Sequence, residues 1–575
     1  MSLTNYCRHL GHILAATAIS VLGLSCIEID GSLGENFIPD DQKWRVYSPE
    51  AVAFKTGSIT LQMSDSLSAY SSKRMVVGSV LDAKGGCLRS TSITLVPLDR
   101  NIDLGKNTKV KNFHFTAVKD TLSTVYDRDE RILQNIYVSA LKKPVDSTLY
   151  GGAFMNMSPD LVDEYLDRDN LITKGIPVYN GGDSLSFDFT KEFAEDFVSK
   201  LANLTDTERD SLHHYVKKIP GIYITTDERQ GTGGRINMFD VTMEVNSSTY
   251  MVSGNYAKLS ISADYDDRVA VDTSFLFIFG PTEFVADSSA TMPAQMAYNC
   301  AFHSSNEEYG DNVPVKNAGK EIIVEGGFGV KPVIKARAIK EMIEGIEEYS
   351  AITDPSQVVI NKASIILPYD PASFQDGWSD LDRFPVVLSP TVKLRSTDNQ
   401  YVTYAGLTDA SIESENQGEI NRSMCWYSPD MSHHIQEILK QDDENLDKYD
   451  IWLLIMHEEV TESSSSSNMN DYYNNLMYNS YYNNMMYDPY SYGYGGYGYG
   501  YGSYGYGYGY NNYYNYMMMA AYASSGSTTT STTSTELDRD RYYNCTLCGP
   551  EYPEESLRPR LRITFSVPKV ADSAE

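Results

Sequence analysis

The stretch Tyr256-Ala-Lys-Leu-Ser-Ile-Ser-Ala263 decides the fold class of this chain. Its apolar residues stand at every second position and alternate with lysine and serine, which is the period of a β-strand with one face on a core and the other in water. The same alternation returns in Arg560–Val567 near the C-terminal end. The side chains that this second stretch would turn inward are Leu561, Ile563, Phe565 and Val567.

Other short runs rich in β-branched and aromatic residues predict further strands. They are residues 90–96, 113–118, 136–141, 222–226, 275–279, 358–367, 385–388 and 450–457. Apolar residues at helical spacing predict a helix over 190–204. A capping box of Thr205 and Glu208 predicts the start of a second helix. Ser428-Pro429 is typical of an N-cap followed by a first-turn proline, and predicts a third.

The two halves of the chain follow the same order: strands, a helix, another strand, a long excursion and a closing strand. We therefore predict a mostly β fold of two duplicated, jelly-roll-like antiparallel β-sandwich domains. The predicted segments are an N-terminal domain with helical insertions over 43–285, a connecting segment over 286–335, and a C-terminal domain over 336–460 plus 555–568. A disordered loop rich in Ser, Tyr, Gly and Met is predicted over 461–554.

The first residues of the chain have the features of a bacterial lipoprotein signal peptide, predicted over 1–25. Arg8 precedes an apolar run, Leu10–Leu24, that is too short to span a bilayer comfortably. Cys26 directly follows a small residue, as a lipidated cysteine does, although Gly23 stands where leucine is usual. An ordinary secretory signal followed by a chance cysteine is the alternative.

Cleavage before Cys26 would leave residues 26–42 as a tether between a lipid and the folded body. The acidic segment Ile27–Gly31 is typical both of lipoproteins exported to the cell surface and of any solvated tether. We therefore expect an exported protein that is bound to a membrane through a lipid on Cys26.

Composition excludes several classes of partner. The 575 residues contain 47 Lys and Arg against 77 Asp and Glu, which gives a formal net charge of −30. Such a charge opposes long-range attraction to nucleic acid or to anionic lipid headgroups, and no Lys- or Arg-rich stretch reverses it locally, so we expect no nucleic-acid partner. Beyond residue 25, no apolar run approaches the 18 residues typical of a membrane-spanning helix.

The Tyr/Gly/Met segment, residues 472–522, is the least ordinary part of the sequence. It holds 20 of the 44 tyrosines, and Asp488 is its one charged residue. Tyrosine offers a large apolar face with a polar tip, so the segment could stack on sugars or partner aromatics, or could self-associate. A repeat expansion without a selected role is the third reading. The candidate interaction residues are Tyr492, Tyr494, Tyr497, Tyr499 and Tyr501.

Cys545 and Cys548 have the C-x-x-C spacing of half a zinc site or of a redox pair. A second ligand pair and a βαβ pattern are both missing from the sequence around them. We therefore predict a local disulfide at the base of the long loop, with metal binding as the alternative.

Two other motifs invite chemistry but favour structural roles. The glycine-rich segments 231–234 and 326–329 lack the Lys-Ser/Thr pair of a phosphate loop, and turns between strands explain both. Histidines 213–214 and 433–434 are adjacent on predicted helices, so their side chains diverge by about 100° and cannot chelate one metal together. We predict no metal, no cofactor and no catalytic residues.

Several segments, in this order along the chain, resemble the Bacteroidota lipoprotein family catalogued as domain of unknown function 4270. The matching segments are 36–42 (NFIPDDQ), 219–226 (IPGIYITT), 326–330 (GGFGV) leading into Ile334, 359–363 (VINKA) and 561–564 (LRIT). The resemblance implies an exported, outer-membrane lipoprotein without an established activity, which faces either the periplasm or the cell exterior. It supplies no catalytic residues. It does not cover the Tyr/Gly/Met segment.

Together these features predict a non-enzymatic, lipid-anchored envelope protein with a structural or surface-interaction role. The alternative is a glycan-binding component of a polysaccharide-acquisition system, which the jelly-roll likeness suggests without establishing. Other envelope proteins and glycans are thus the expected partners. A hydrolase would need carboxylates or a nucleophile converging in a cleft, and no sequence motif indicates one.

Overall fold

The computed structural model of the protein describes residues 43–568 except 64–66, 68, 72, 83–84, 100–101, 121–131, 146–158, 247–250, 267, 281–294, 305–314, 375–383, 396–401, 408, 410–417, 464–529 and 539–542. Strands make up 51% of the structure and helices 19%, and the strands pair antiparallel. The predicted mostly β, antiparallel, sandwich-rich fold class is confirmed. No helix of the described part is both long and apolar enough to cross a bilayer.

The strands are β1 Trp44–Tyr47, β2 Val52–Ala53, β3 Ile59–Met63, β4 Tyr70–Ser71, β5 Arg74–Asp82, β6 Gly85–Pro97, β7 Lys106–Val118, β8 Gln134–Leu141, β9 Leu166–Leu171, β10 Val178–Tyr179, β11 Ser184–Asp188, β12 Ile222–Thr226, β13 Gly233–Asp240, β14 Met243–Asn246, β15 Met251–Gly254, β16 Tyr256–Tyr265, β17 Arg268–Gly280, β18 Ala297–His303, β19 Lys316–Asn317, β20 Glu321–Glu325, β21 Val330–Ile334, β22 Val359–Pro368, β23 Val387–Arg395, β24 Val402–Gly406, β25 Ile420–Asn421, β26 Trp426–Tyr427, β27 Ile451–Ser463, β28 Thr530–Leu537, β29 Asn544–Cys548 and β30 Arg560–Pro568. The α-helices are α1 Pro159–Tyr165, α2 Lys191–Ala202, α3 Asp206–Asp210, α4 Leu212–Lys218, α5 Ala336–Glu344, α6 Glu347–Ser350 and α7 Ser432–Lys440. Short 3₁₀ helices cover Pro355–Gln357, Pro371–Ser373, Asp443–Tyr449 and Glu555–Leu557.

Thirteen strands between Tyr70 and His303 form one sheet, here called the N-terminal sheet. Its main path runs β10-β8-β12-β6-β17-β16-β7-β11, and β4, β5, β9, β13 and β18 join at its sides. The alternation in β16 works as its sequence predicts, because Leu259 and Ile261 are fully buried while Lys258 is exposed. Helices α2 and α4 complete this first core through Phe197 and Tyr215, among other residues.

Two further large sheets and two strand pairs, β14-β15 and β20-β29, form the rest of the described body. The middle sheet has the order β19-β3-β21-β27-β23-β24, with β28 paired to β27, and the closing sheet has the order β1-β30-β22-β26-β25, with β2 paired to β30. Residues 451–455 of β27 are buried on both faces of the strand. Ile451 and Leu453 enter a core shared with the closing sheet, whereas Trp452 and Leu454 enter a core shared with the N-terminal sheet. The middle sheet thus lies between two hydrophobic cores.

Strand pairing divides the chain differently from the predicted domain limits. Strands β1 and β2 pair with β30, and β3 pairs with β21, although all three fall within the range 43–285 assigned to the N-terminal domain. Strand β18, within the predicted connecting segment 286–335, pairs with β6 of the N-terminal sheet. Apolar patterning identifies a strand but not its partner, and long-range pairing decides which sheet it joins. The proposed duplication stays a prediction.

The helices match their sequence signals with two differences. Thr190 caps α2, and Thr205 and Glu208 form the predicted capping box at the start of α3. The second predicted helix is broken at Ser211, which separates α3 from α4. Ser428-Pro429 does not cap α7, which starts at Ser432.

The start of α7 is instead capped by a carboxylate from a distant part of the chain. Asp409 accepts hydrogen bonds from the backbone N–H groups of His433 and His434 at 2.8 and 3.0 Å. It therefore satisfies the amide donors that a local serine would otherwise take.

The predicted disordered range 461–554 is too wide. Its Ser/Thr-rich end forms β28, which pairs with β27 from Met456↔Leu537 to Ser463↔Thr530, and β29 pairs with β20. Threonine is β-branched and favours a strand once a partner strand is present, so low complexity alone did not indicate disorder there. Residues 464–529 connect β27 to β28, and these two strands pair with each other rather than β27 with the closing strand β30.

We predict that Gly234→Ala destabilises the protein by about 2–4 kcal/mol, because an added Cβ would clash at a backbone angle that alanine rarely adopts. Gly234 has φ of +116°, and its Cβ would lie 2.1 Å from the carbonyl oxygen of Ser79 on β5. Gly231→Ala, where a Cβ would meet nothing within 4 Å, is the control and should change stability by less than about 0.5 kcal/mol. Urea unfolding measures the free energy of unfolding of both variants. An equal loss of stability in Gly234→Ala and Gly231→Ala would contradict the close approach of β13 to β5.

Candidate functional site

A group of buried polar side chains lies where the N-terminal sheet meets the middle sheet. We call it the junction cluster, and each member is at most 4% exposed. Its members are Cys87, Arg89, His303, Glu325, Lys331, His457 and Asp538. Charged residues are almost never buried this completely unless they are paired, so this cluster is the candidate site of the described structure.

Strands from both sheets supply the cluster. Cys87 and Arg89 lie on one face of β6, and His303 is the last residue of β18, directly opposite Cys87 in the strand register. Glu325 ends β20 and Lys331 lies near the start of β21, so the tight turn 326–329 brings both to the same place. The contact between His303 and Glu325, 3.4 Å from Nδ1 to Oε2, therefore joins the N-terminal sheet to the β20–β29 strand pair, which continues through the turn 326–329 into β21 of the middle sheet.

Glycines in the turn 326–329 allow the chain to approach the charged side chains. A Cβ on Gly327 would lie 2.9 Å from a guanidinium nitrogen of Arg89, and one on Gly329 would lie 2.4 Å from Cβ of Glu325. Gly327 also has φ of +54°. The segment is thus a turn, as its sequence predicts, and it packs against the buried side chains of Arg89 and Glu325.

Lys331 is held by backbone oxygens at the centre of the cluster. Its ammonium donates to the carbonyl oxygen of Glu325 and, at 3.3 Å, to that of Gly329. The carboxylate of Glu325 accepts from the backbone N–H of Val330 at 2.9 Å. Burial lowers the pKa of Lys331, while the negative charges of Glu325 and Asp538 oppose this shift. Two basic and two acidic side chains therefore share one buried cluster, where each can offset the desolvation of another.

Cys87, His303 and Glu325 stand in the order of a cysteine–histidine–acid relay. Cys87 Sγ lies 3.8 Å from Nε2 of His303, whose Nδ1 faces Glu325. Nucleophilic catalysis needs a thiolate, and burial raises the pKa of Cys87 to about 11. Burial and the charges of Arg89 and Lys331 also lower the pKa of His303. A protonated thiol beside a neutral imidazole is typical of a structural contact.

Cys545 and Cys548 do not form the predicted disulfide. Both lie on β29 three residues apart, so their Cα atoms are about 10 Å from each other in an extended strand, and a disulfide requires less than about 7 Å. Burial and nearby carboxylates, Asp370 first among them, raise the pKa of Cys548 to about 12. Among the described residues, no group of three His, Cys, Asp or Glu side chains is arranged to hold a metal ion.

His433 and His434 point apart, as the helical geometry requires. His433 is exposed, whereas His434 is buried and its Nε2 lies 2.9 Å from the carbonyl oxygen of Tyr449. His214 is exposed and contacts Ser211 through Nδ1.

Two predicted sites lie outside the described residues. One is the lipidation site Cys26, and the other is the set of interaction residues Tyr492, Tyr494, Tyr497, Tyr499 and Tyr501.

Sequence reasoning missed the junction cluster, although one signal was present: Arg89 and Lys331 interrupt stretches that otherwise read as buried strands. A charge in such a stretch indicates a buried partner, but no sequence pattern identifies that partner.

No protein-family model matches the chain, and no curated protein or solved structure matches it either. The resemblance to the Bacteroidota lipoprotein family therefore stays a prediction.

We predict that acidification from pH 7 to pH 5 destabilises the protein through His303. Its pKa is lowered on folding, so below about pH 6.5 the unfolded chain binds a proton that the folded chain excludes, and the free energy of unfolding falls with pH. The slope from this group is at most about 1.4 kcal/mol per pH unit. Urea unfolding at several pH values measures it.

His303→Gln should make that pH dependence shallower, since glutamine keeps polar atoms but cannot bind the proton. His433→Gln, at an exposed position of α7, is the control for losing an imidazole. An unchanged slope in His303→Gln would contradict a neutral His303 in the folded protein.

Proposed function

We propose that the protein is a non-enzymatic, lipid-anchored component of the outer cell envelope, and that it presents residues 464–529 to other envelope molecules. Cys26, at the end of an apolar leader, supports the anchor. The resemblance to an exported lipoprotein family points the same way. The closed junction cluster, with its raised thiol pKa, supports a structural rather than a catalytic role for the one relay-like arrangement described.

The observation that carries the proposal is a two-stranded arm formed by the ends of β27 and β28. From Ile451 to Met456, β27 pairs with β23 of the middle sheet. From His457 to Ser463, its pairing among the described residues is with β28 alone. Beyond the buried His457, residues 458–463 of this strand span about 20 Å, so residues 464–529 connect to the body through a paired two-stranded ribbon.

The composition at the end of this arm supports contact with other molecules. The arm sequences are rich in Ser, Thr and Glu, which suits a solvated support, and the intervening segment is rich in tyrosine. Tyrosine rings stack on sugars or on aromatic side chains while their hydroxyls stay hydrated. Comparing the mature chain with one lacking 472–522 on glycan arrays distinguishes a glycan partner from a protein partner.

We predict that Cys26→Ala moves the protein from the membrane fraction to the soluble fraction. Attached acyl chains contribute about 0.8 kcal/mol per buried methylene, so the loss of two or more chains abolishes stable anchoring. Cys7→Ala, which removes the other cysteine of the leader region, is the control and should leave the protein in the membrane fraction. A Cys26→Ala protein that stays membrane-bound would contradict the anchor.

Protease treatment of intact cells tests presentation separately. We expect cleavage within 464–529 while the outer membrane is whole, because the proposed function presents this segment outside the cell. Protection that is lost only after the membrane is broken would contradict display at the cell surface.

A further inference from the structure

Three exposed apolar side chains lie close together on the closing sheet. Trp44 is 51% exposed, Val46 is 64% exposed and Val359 is 44% exposed. Single exposed apolar residues are ordinary, but a tryptophan and two valines on adjoining strands need a reason.

The strand register places these side chains on one face. Val46 on β1 and Val359 on β22 are both directly opposite Ser566 of β30, and Trp44 is opposite Pro568. Residues directly opposite each other in antiparallel strands point to the same side of a sheet. The other side of these strands faces the core, where Phe565 stacks on Tyr47 at 5.4 Å between ring centroids.

Basic residues border this apolar face. Lys362 is opposite Thr564, and Arg562 lies two residues further along β30 on the same side, and both are exposed. We call Trp44, Val46, Val359 and Pro568, together with these two cations, the Trp44 face. The two exposed cations beside these apolar side chains are opposite in sign to the net charge of the chain, which is −30.

The face also lies close in sequence to the proposed anchor. Seventeen residues separate Cys26 from Trp44, since 44 − 26 − 1 = 17, and fully extended they reach at most about 60 Å. A lipid on Cys26 would therefore keep Trp44, the first residue of β1, within that distance of a membrane.

We propose that the Trp44 face lies against the surface of a phospholipid bilayer that contains anionic headgroups. Tryptophan favours the membrane–water interface, valine and proline add apolar contact area, and the two cations meet the headgroups. Acidic residues elsewhere on the protein repel the headgroups only weakly where they lie further away than the Debye length, which is about 8 Å at physiological salt. The inference rests on the proposed function for its membrane, but the contact itself needs no acyl chain.

The test uses the mature chain from Ile27 onward, which contains every described residue and carries no lipid. Its sedimentation with vesicles of phosphatidylcholine containing phosphatidylglycerol is compared with that of Trp44→Ser/Val46→Ser. We expect the double variant to bind about tenfold more weakly. Val269→Ser, at an apolar position 78% exposed on the hairpin between β16 and β17, is the matched control and should bind like the parent.

Two further measurements identify the contact. Phospholipids with brominated acyl chains should quench the tryptophan fluorescence of the parent chain, and the Trp44→Phe variant should lose that quenching. Lys362→Gln/Arg562→Gln should weaken binding to the anionic vesicles and leave binding to pure phosphatidylcholine unchanged.

Several results would overturn the proposal. They are equal binding of the parent and Trp44→Ser/Val46→Ser, absence of vesicle binding by the parent, and quenching that survives Trp44→Phe. Concentration-dependent dimerisation that the double variant loses, without vesicle binding, would assign the face to a second copy of the chain. Radiolabelled palmitate incorporation in cells reports the Cys26 anchor alone, so its failure is distinguishable from failure of the Trp44 face.

Discussion

Burial of compensating charges between two sheets is the constraint on which the rest of the structure depends. Arg89 comes from the N-terminal sheet, whereas Glu325, Lys331 and Asp538 come from the strands packed against it. Separating the sheets would expose these groups to water, but shifting one sheet against the other would leave charges buried without their partners. Such clusters favour one arrangement over its neighbours more than they add stability, because desolvation offsets most of the Coulomb attraction.

The hydrophobic cores explain why the junction is closed. Strand β27 sends alternate residues into two cores, so the middle sheet is buried on both faces. The closing sheet then joins the two ends of the described chain, because β1 pairs with β30. The chain that precedes β1 is thereby joined to β30, and a force applied to that end would load the closing sheet first.

The sequence predicts the local elements well and their assembly less well. Alternation identified β16 and β30, and the Thr205–Glu208 capping box identified the start of α3, because these signals depend on neighbouring residues. The strands that pair with β3 and β18 lie far away in the chain. The predicted domain limits therefore do not coincide with the limits of the sheets. The cap of α7 by Asp409 and the junction cluster need the tertiary fold for the same reason. Cys545 and Cys548 show the converse: a motif spacing suggested a bond that the strand geometry forbids.

Hydrogen–deuterium exchange of Lys331→Met tests most directly whether the junction cluster couples the two parts of the body. Removing one member of a buried charge cluster costs about 3–5 kcal/mol. If the cluster joins the sheets, amide protection should fall together in β16 of the N-terminal sheet and in β30 of the closing sheet. Loss of protection confined to β20 and β21, with β16 and β30 unchanged, would contradict the account.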